Sequence, residues 1–131
     1  MSATGARRAE TLAELAVDAD IIVTSYALLR LEAPEYAALD LAGVILDEAQ
    51  NIKNPTTKQA RAARRLNADF RLALTGTPVE NRLSELWSIM AFLNPGYLGP
   101  RSAFRREFSV PIERFQDHEA TERLRRLVRP F

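Results

Sequence analysis

Apolar runs that end in polar corners set the rhythm of this chain. Ala9, Leu12, Ala13 and Ala16 recur at helical spacing and predict an amphipathic helix over 7–17. Residues 20–26, Asp-Ile-Ile-Val-Thr-Ser-Tyr, read as a buried strand running into a polar turn. Residues 27–31 predict a short helix stopped near Pro34. Residues 44–46, Val-Ile-Leu, read as a second buried strand, and it ends in two adjacent carboxylates, Asp47 and Glu48. Asn54-Pro55 has the form of a helix start, with Asn54 capping and Pro55 in the first turn of a helix reaching about Leu66. Residues 70–74, Phe-Arg-Leu-Ala-Leu, predict a third strand ending at Thr75. Leu83, Leu86, Trp87, Met90 and Leu93 mark one face of a helix closed by Asn94-Pro95-Gly96. An Arg-rich helix near 101–107, a loop at Pro111 and a helix at about 117–128 complete the chain.

Apolar strands separated by helices predict an α/β fold, a parallel sheet covered by helices on both faces. Three strands make a small sheet. Further strands are therefore expected upstream, and the chain is expected to be cut at both ends. A partial sheet leaves an unpaired edge and an uncovered apolar face, so the isolated chain is expected to be marginal or self-associating.

Composition narrows the classes. With 131 residues there is room for one modest domain. Apolar residues at 47% and charged residues at 27% are usual for a globular protein. No apolar run approaches the ~20 residues that span a bilayer, so no membrane partner is expected. Residues 1–20 are rich in Arg and Glu and do not read as a secretory signal. Cysteine is absent, which excludes disulfides and thiolate metal sites. The expected home is the cytoplasm, at the nucleoid if the source is bacterial. Of 18 basic residues all but Lys53 and Lys58 are Arg, in line with a GC-rich genome. The net charge of +1 gives no global basic footprint, so any nucleic-acid contact is local.

The candidate chemistry sits at the strand ends, where open α/β sheets bind ligands. Phosphoryl transfer needs a metal to neutralise developing charge and a residue to orient the attacking water. Asp47 at a strand tip would hold Mg²⁺ through water, and Glu48 would act as base or water-positioner. The plain alternative is two solvated carboxylates at a strand end. Thr75-Gly76-Thr77-Pro78 offers two hydroxyls, a glycine that permits close approach and a stiff exit; alone it could be an ordinary turn. Lys58, Arg61 and Arg65 share a helical face with Lys53 just before it, which reads as a solvated face before it reads as a nucleic-acid contact. His118 has no second ligand at usable spacing for a metal. Trp87 belongs to the Leu83–Leu93 stripe and reads as core.

Taken together, these segments resemble a known family. Asp47-Glu48-Ala49-Gln50 with Asn51-Ile52-Lys53-Asn54 resembles motif II of the Swi/Snf ATPases, double-stranded-DNA translocases of helicase superfamily two. Leu74-Thr75-Gly76-Thr77-Pro78 resembles their motif III, and Thr24-Ser25-Tyr26 their motif Ib. Asn81-Arg82-Leu83, Glu85-Leu86-Trp87 and Phe92-Leu93-Asn94-Pro95 are similar to the stretch that follows motif III. Residues 127–131 resemble the approach to the second lobe. The resemblance covers about residues 20–131.

The resemblance implies a partial RecA-like (P-loop NTPase) lobe with a helical C-terminal segment. Residues 1–95 would be the C-terminal part of the first helicase lobe and 96–131 an extension toward the second. It implies ATP and Mg²⁺ as cofactors, with Asp47 on the metal and Glu48 and Gln50 as catalytic residues. Gln50 would sit near the γ-phosphate and link motif II to motif III. Thr75, Gly76 and Thr77 would couple nucleotide state to DNA. Thr24, Ser25, Tyr26, Lys53 and Asn54 would contact nucleic acid. The implied partners are double-stranded DNA, a second lobe in cis, and a DNA-bound protein or RNA polymerase as the remodelled target.

One motif is absent. A phosphate-binding loop needs Gly-x-x-x-x-Gly-Lys-Ser/Thr, and the two lysines here follow Ile52 and Thr57. This polypeptide alone is therefore expected to hydrolyse ATP negligibly. Two other readings stay open. One is a split or relic chain acting as a non-catalytic interaction module, with a vestigial acidic pair. The other is an RNA helicase, disfavoured by Gln50 in place of the final Asp of the Asp-Glu-Ala-Asp enzymes.

Overall fold

The computed structural model describes residues 5–76 and 82–130, with backbone alone over 5–11. Its centre is a parallel pair of strands, β1 (Asp40–Leu46) and β2 (Asn67–Ala73). Asp40 stands opposite Asn67, Val44 opposite Arg71 and Leu46 opposite Ala73. Leu74 N donates to Leu46 O at 2.8 Å and Ala49 N to Leu74 O at 2.8 Å, so the ladder outlasts both strands and holds their ends together. Parallel strands need a long crossover. Here it comprises a 3₁₀ turn (Ala49–Ile52) and helix α4 (Lys58–Arg64).

Alternation along the strands divides the sheet into two faces. Val44 and Leu46 point into a core shared with Ile52, Ala60, Ala63 and Phe92. Leu29 and Tyr36 enter it from α2 (Tyr26–Leu31) and α3 (Ala33–Ala37), and Leu12 from α1 (Gly5–Asp18). Ile45, Phe70, Leu72 and Leu74 lie exposed on the opposite side. The expected covering on both faces is thus found on one face among the described residues. Gly43 belongs to the exposed side, and the Phe70 ring lies across it: a Cβ there would come within 2.0 Å of the ring.

A third strand over 20–26 is not present among the described residues. Residues 21–25 form no regular element, with Ser25 extended, and β1 and β2 pair only with each other. Ile22 packs on the core while Ile21 and Val23 stand 81% and 90% exposed.

Helix α2 ends at Leu31, near Pro34, as expected, and Pro34 itself opens α3, because the missing N–H costs nothing in a first turn. Two other proline positions differ from expectation, each for a local reason. Asn54-Pro55 forms a turn one step earlier than the helix. Asn54 Oδ1 accepts from Thr56 N at 3.1 Å, and Thr57 is the residue that caps α4, accepting from Ala60 N at 3.2 Å. Pro111 lies inside a helical run, not in a loop. That run joins α6 (Arg101–Phe104), a π turn (Arg105–Ser109) and α7 (Val110–Phe115). The wide π turn precedes the residue that has no N–H to donate.

Helix α5 (Leu83–Leu93) has the predicted bounds. Its Ile89 and Phe92 enter the sheet core. Its Leu83, Leu86 and Trp87 pack on a second cluster of Phe104, Phe108, Ala120 and Leu124. The last two come from α8 (His118–Val128), which Asp117 caps by accepting from Ala120 N at 3.1 Å.

Candidate active site

The two strands end side by side, and the candidate chemistry collects there. Beyond Leu46 the chain turns sharply. Glu48 takes the left-handed conformation, φ 50 and ψ 52, and the 3₁₀ turn starts at once. Left-handed backbone is unfavourable for a residue with a Cβ. Three groups fasten this corner. Glu48 N donates to Asp47 Oδ1 at 2.9 Å. Asn51 Nδ2 donates to Glu48 O at 2.9 Å. The Tyr26 hydroxyl, from the start of α2, donates to Asp47 O at 2.6 Å and reaches Glu48 O at 3.5 Å.

Both carboxylates stay exposed. The Glu48 Oε2 accepts from Gln50 Nε2 at 2.5 Å, and Gln50 Oε1 accepts from the Thr75 hydroxyl at 2.8 Å. Thr75, Gln50 and Glu48 therefore form one hydrogen-bonded line across the ends of β1 and β2. Asp47 Oδ1 accepts from the Glu48 amide, and the residue as a whole is exposed. No group of three or more metal-ligating side chains exists among the described residues. The donor set suits Mg²⁺, which takes one or two carboxylates and fills its remaining positions with water and phosphate oxygens. Asp47 would hold it. Bound there, it would neutralise charge on a transferring phosphoryl group.

The remaining site residues are distributed unevenly. Gly76 is exposed and a Cβ there would meet nothing within 4 Å. Thr77, Pro78, Asn81 and Phe131 lie outside the described residues. Ser25 caps α2, its hydroxyl oxygen accepting from Leu28 N at 3.1 Å. Thr24 Oγ1 and Tyr36 OH share a hydrogen bond of 2.7 Å. Lys53 and Asn54 stand exposed past the 3₁₀ turn, with Lys58, Arg61 and Arg65 exposed along α4. Tyr26, grouped with Thr24 and Ser25 by sequence, instead turns its hydroxyl to the acidic corner. Burial holds its phenol above the ordinary value of 10.0, with the Asp47 and Glu48 charges adding to the effect.

Two structural cations were not legible in the sequence. Arg71 lies over the Phe92 ring at 5.2 Å and donates to Phe92 O at 3.1 Å and to Leu66 O. Arg64 donates to Pro55 O at 3.0 Å and lies 5.5 Å from the Trp87 ring centre. Burial lowers both guanidinium pKa values; for Arg64 the charges of Arg61 and Arg101 lower it further. Trp87 donates its indole N–H to Gly99 O at 3.1 Å and packs on the second cluster, a core residue.

The family model described as the SNF2-related domain matches residues 2–131. The chain belongs to that family. Among curated relatives, this SNF2-related chain is 46% identical over 114 residues to the putative ATP-dependent helicase/translocase YwqA of Bacillus subtilis, covering 87% of this chain and 12% of that protein. It is 44% identical over 95 residues to the TATA-binding protein-associated factor MOT1 of Saccharomyces cerevisiae, covering 72% and 5%. The solved Sulfolobus solfataricus SWI2/SNF2 ATPase core in complex with dsDNA matches with a TM-score of 0.80 at 46% identity, over 87% of this chain and 24% of that one. The fold is thus part of a SWI2/SNF2 ATPase core, and the chain spans about an eighth or less of these curated relatives' length.

Proposed function

We propose that this chain is the part of an ATP-dependent double-stranded-DNA translocase that carries its metal and water carboxylates, and that it works only when joined to a phosphate-binding loop and a second lobe. The observation that carries the reading is the line from Thr75 through Gln50 to Glu48. It connects the carboxylate that would act on water with a residue of the next strand's end. Such a line lets nucleotide state be felt outside the nucleotide site.

In this reading Asp47 holds Mg²⁺ through water. Glu48 orients the attacking water and takes its proton, and Gln50 fixes the Glu48 carboxylate and faces the γ-phosphate. Thr75, Gly76 and Thr77 couple the site to DNA. Thr24, Ser25, Lys53 and Asn54 are the DNA-contacting candidates, through phosphate oxygens rather than bases. The work done is remodelling of a protein–DNA complex, with a DNA-bound protein or RNA polymerase as target, in the cytoplasm, at the nucleoid if the source is bacterial. Two similar proteins, a putative ATP-dependent helicase/translocase and a SWI2/SNF2 ATPase core in complex with dsDNA, support this reading.

The test is Mg-ATP hydrolysis with and without double-stranded DNA, on this chain and on a protein extended through a phosphate-binding loop and second lobe. DNA-stimulated turnover only in the extended protein, abolished by Glu48→Gln, is the expected result. Turnover in neither, with both folded, would favour the non-catalytic interaction module.

A further inference from the structure

We propose that Tyr26 is a positioning residue for the ATPase reaction, its hydroxyl holding the Asp47 and Glu48 carbonyls so that the corner aims both carboxylates. The proposal rests on the function proposed above and names a residue that the acidic motif itself does not contain. Its distances are 2.6 Å to Asp47 O and 3.5 Å to Glu48 O.

The argument begins with the backbone of Glu48. A φ of 50 on a residue with a Cβ costs conformational free energy and persists only where neighbours over-determine it. The Asp47 carbonyl belongs to the peptide plane that ends in the Glu48 nitrogen. Holding its oxygen fixes the tilt of that plane and therefore φ of Glu48. The Glu48 Cα–Cβ direction follows, and with it the reach of the carboxylate.

Among the described residues, three side chains bond the main chain of Asp47 and Glu48. Asp47 and Asn51 belong to the corner itself and move with it. Tyr26 comes from another element, 21 residues away from Asp47 in sequence. It is also well anchored. Its ring packs on the sheet core and Ser25 caps its helix. A phenol has two side-chain torsions, so a packed ring delivers its hydroxyl with little freedom to lose. Segment 24–26 and the acidic corner therefore move as one unit, and a load on Thr24 or Ser25 reaches Glu48 through one hydrogen bond.

The test uses the full-length protein that carries this segment, with Tyr26→Phe, Tyr36→Phe and Glu48→Gln. Tyr26→Phe keeps the ring and removes only the donor. It is expected to lower kcat about tenfold while KM for Mg-ATP stays within about twofold. Stimulation by duplex DNA should fall with it. Tyr36→Phe removes the other phenol tied to the same segment and should leave kcat within about twofold. Equal kcat for Tyr26→Phe and wild type would overturn the proposal. So would parallel losses in both phenylalanine variants, which mark a merely structural role. Amide hydrogen exchange of the same proteins reads the corner without turnover. Faster exchange over 47–51 in Tyr26→Phe alone is expected, and unchanged exchange overturns the clamp. A wild type without turnover, indifferent to Glu48→Gln, would instead sink the ATPase reading and leave the exchange result to decide the clamp.

Discussion

The Thr75 hydroxyl donates to Gln50 Oε1 at 2.8 Å, and the same amide donates from Nε2 to Glu48. Gln50 uses its two ends in opposite directions. An amide can do this and a carboxylate cannot, because it carries both donor and acceptor. Gln50→Glu would place a second negative charge against Glu48 and repel it. In a protein extended through a phosphate-binding loop and second lobe, it is expected to lower kcat by about tenfold or more. Because Gln50 lies at the surface edge of the fold, its melting temperature should stay within a few degrees. Steady-state ATPase assays beside a thermal melt check both halves.

Arg71 joins three elements. It stacks on Phe92 and donates to the carbonyls of Leu66 and Phe92 at the ends of two helical segments. Arg71→Met keeps much of the apolar stem and leaves both carbonyls without their cation. A loss of roughly 2 kcal/mol is expected, in line with hydrogen bonds from a charged donor. Urea unfolding should show a lower midpoint with an unchanged slope.

Phe92 is fully buried and sits where α5 meets the sheet. Phe92→Ala should cost about 3–5 kcal/mol, enough to unfold a small domain. Loss of the cooperative melt by circular dichroism is the expected readout.

Gly43 and Phe70 are coupled across the strands. The ring occupies the space a Cβ would need. Gly43→Ala must displace the ring, whereas Gly43→Ala with Phe70→Ala need not. The double variant should therefore be less destabilised than the sum of the two singles by about 1 kcal/mol. A denaturation double-mutant cycle measures the difference, and strict additivity would refute the coupling.

Ile45, Phe70, Leu72 and Leu74 make a row of apolar side chains open to water, with Ile21 and Val23 exposed nearby in sequence to α2. This 131-residue chain is expected to self-associate on its own. Light scattering should give a mass that rises with concentration, and Leu72→Lys with Leu74→Lys should reduce it. A sharp monomeric peak with a cooperative melt would contradict the expectation.

Much of this could be read from residue order because the relevant signals are local. Leu83, Leu86, Trp87, Met90 and Leu93 repeat at helical spacing, and α5 has the expected bounds. Asp47 and Glu48 follow an apolar run, and they do sit at a strand end. The strand β1 is longer than its apolar run because Asp40, Leu41 and Gly43 also pair with β2, and Asn67 Nδ2 donates to Asp40 Oδ1 at 2.7 Å. That pairing depends on a partner 27 positions away, at Asn67 for Asp40, which no local pattern encodes. The stretch over 21–24 shows the converse. Its composition favours a strand, yet a ladder needs a neighbour. Pro111 misled because a π turn can accommodate a residue without an N–H inside a helix. Tyr26 sits beside Thr24 and Ser25 in sequence, whereas its hydroxyl donates to Asp47 O, 21 residues away.

Ser88 is fully buried in the middle of α5, and its hydroxyl donates to Ile52 O at the close of the 3₁₀ turn. The helix is thus pinned at its waist, with one end in each apolar cluster. A pinned rod cannot spin freely about its own axis. Any twist applied by α6 to α8 on one end of α5 pulls on the carbonyl four residues beyond Glu48. The acidic corner is geared to the far end of the molecule by this hydroxyl together with the packing of Ile52 against α5, as a crank is keyed to its shaft.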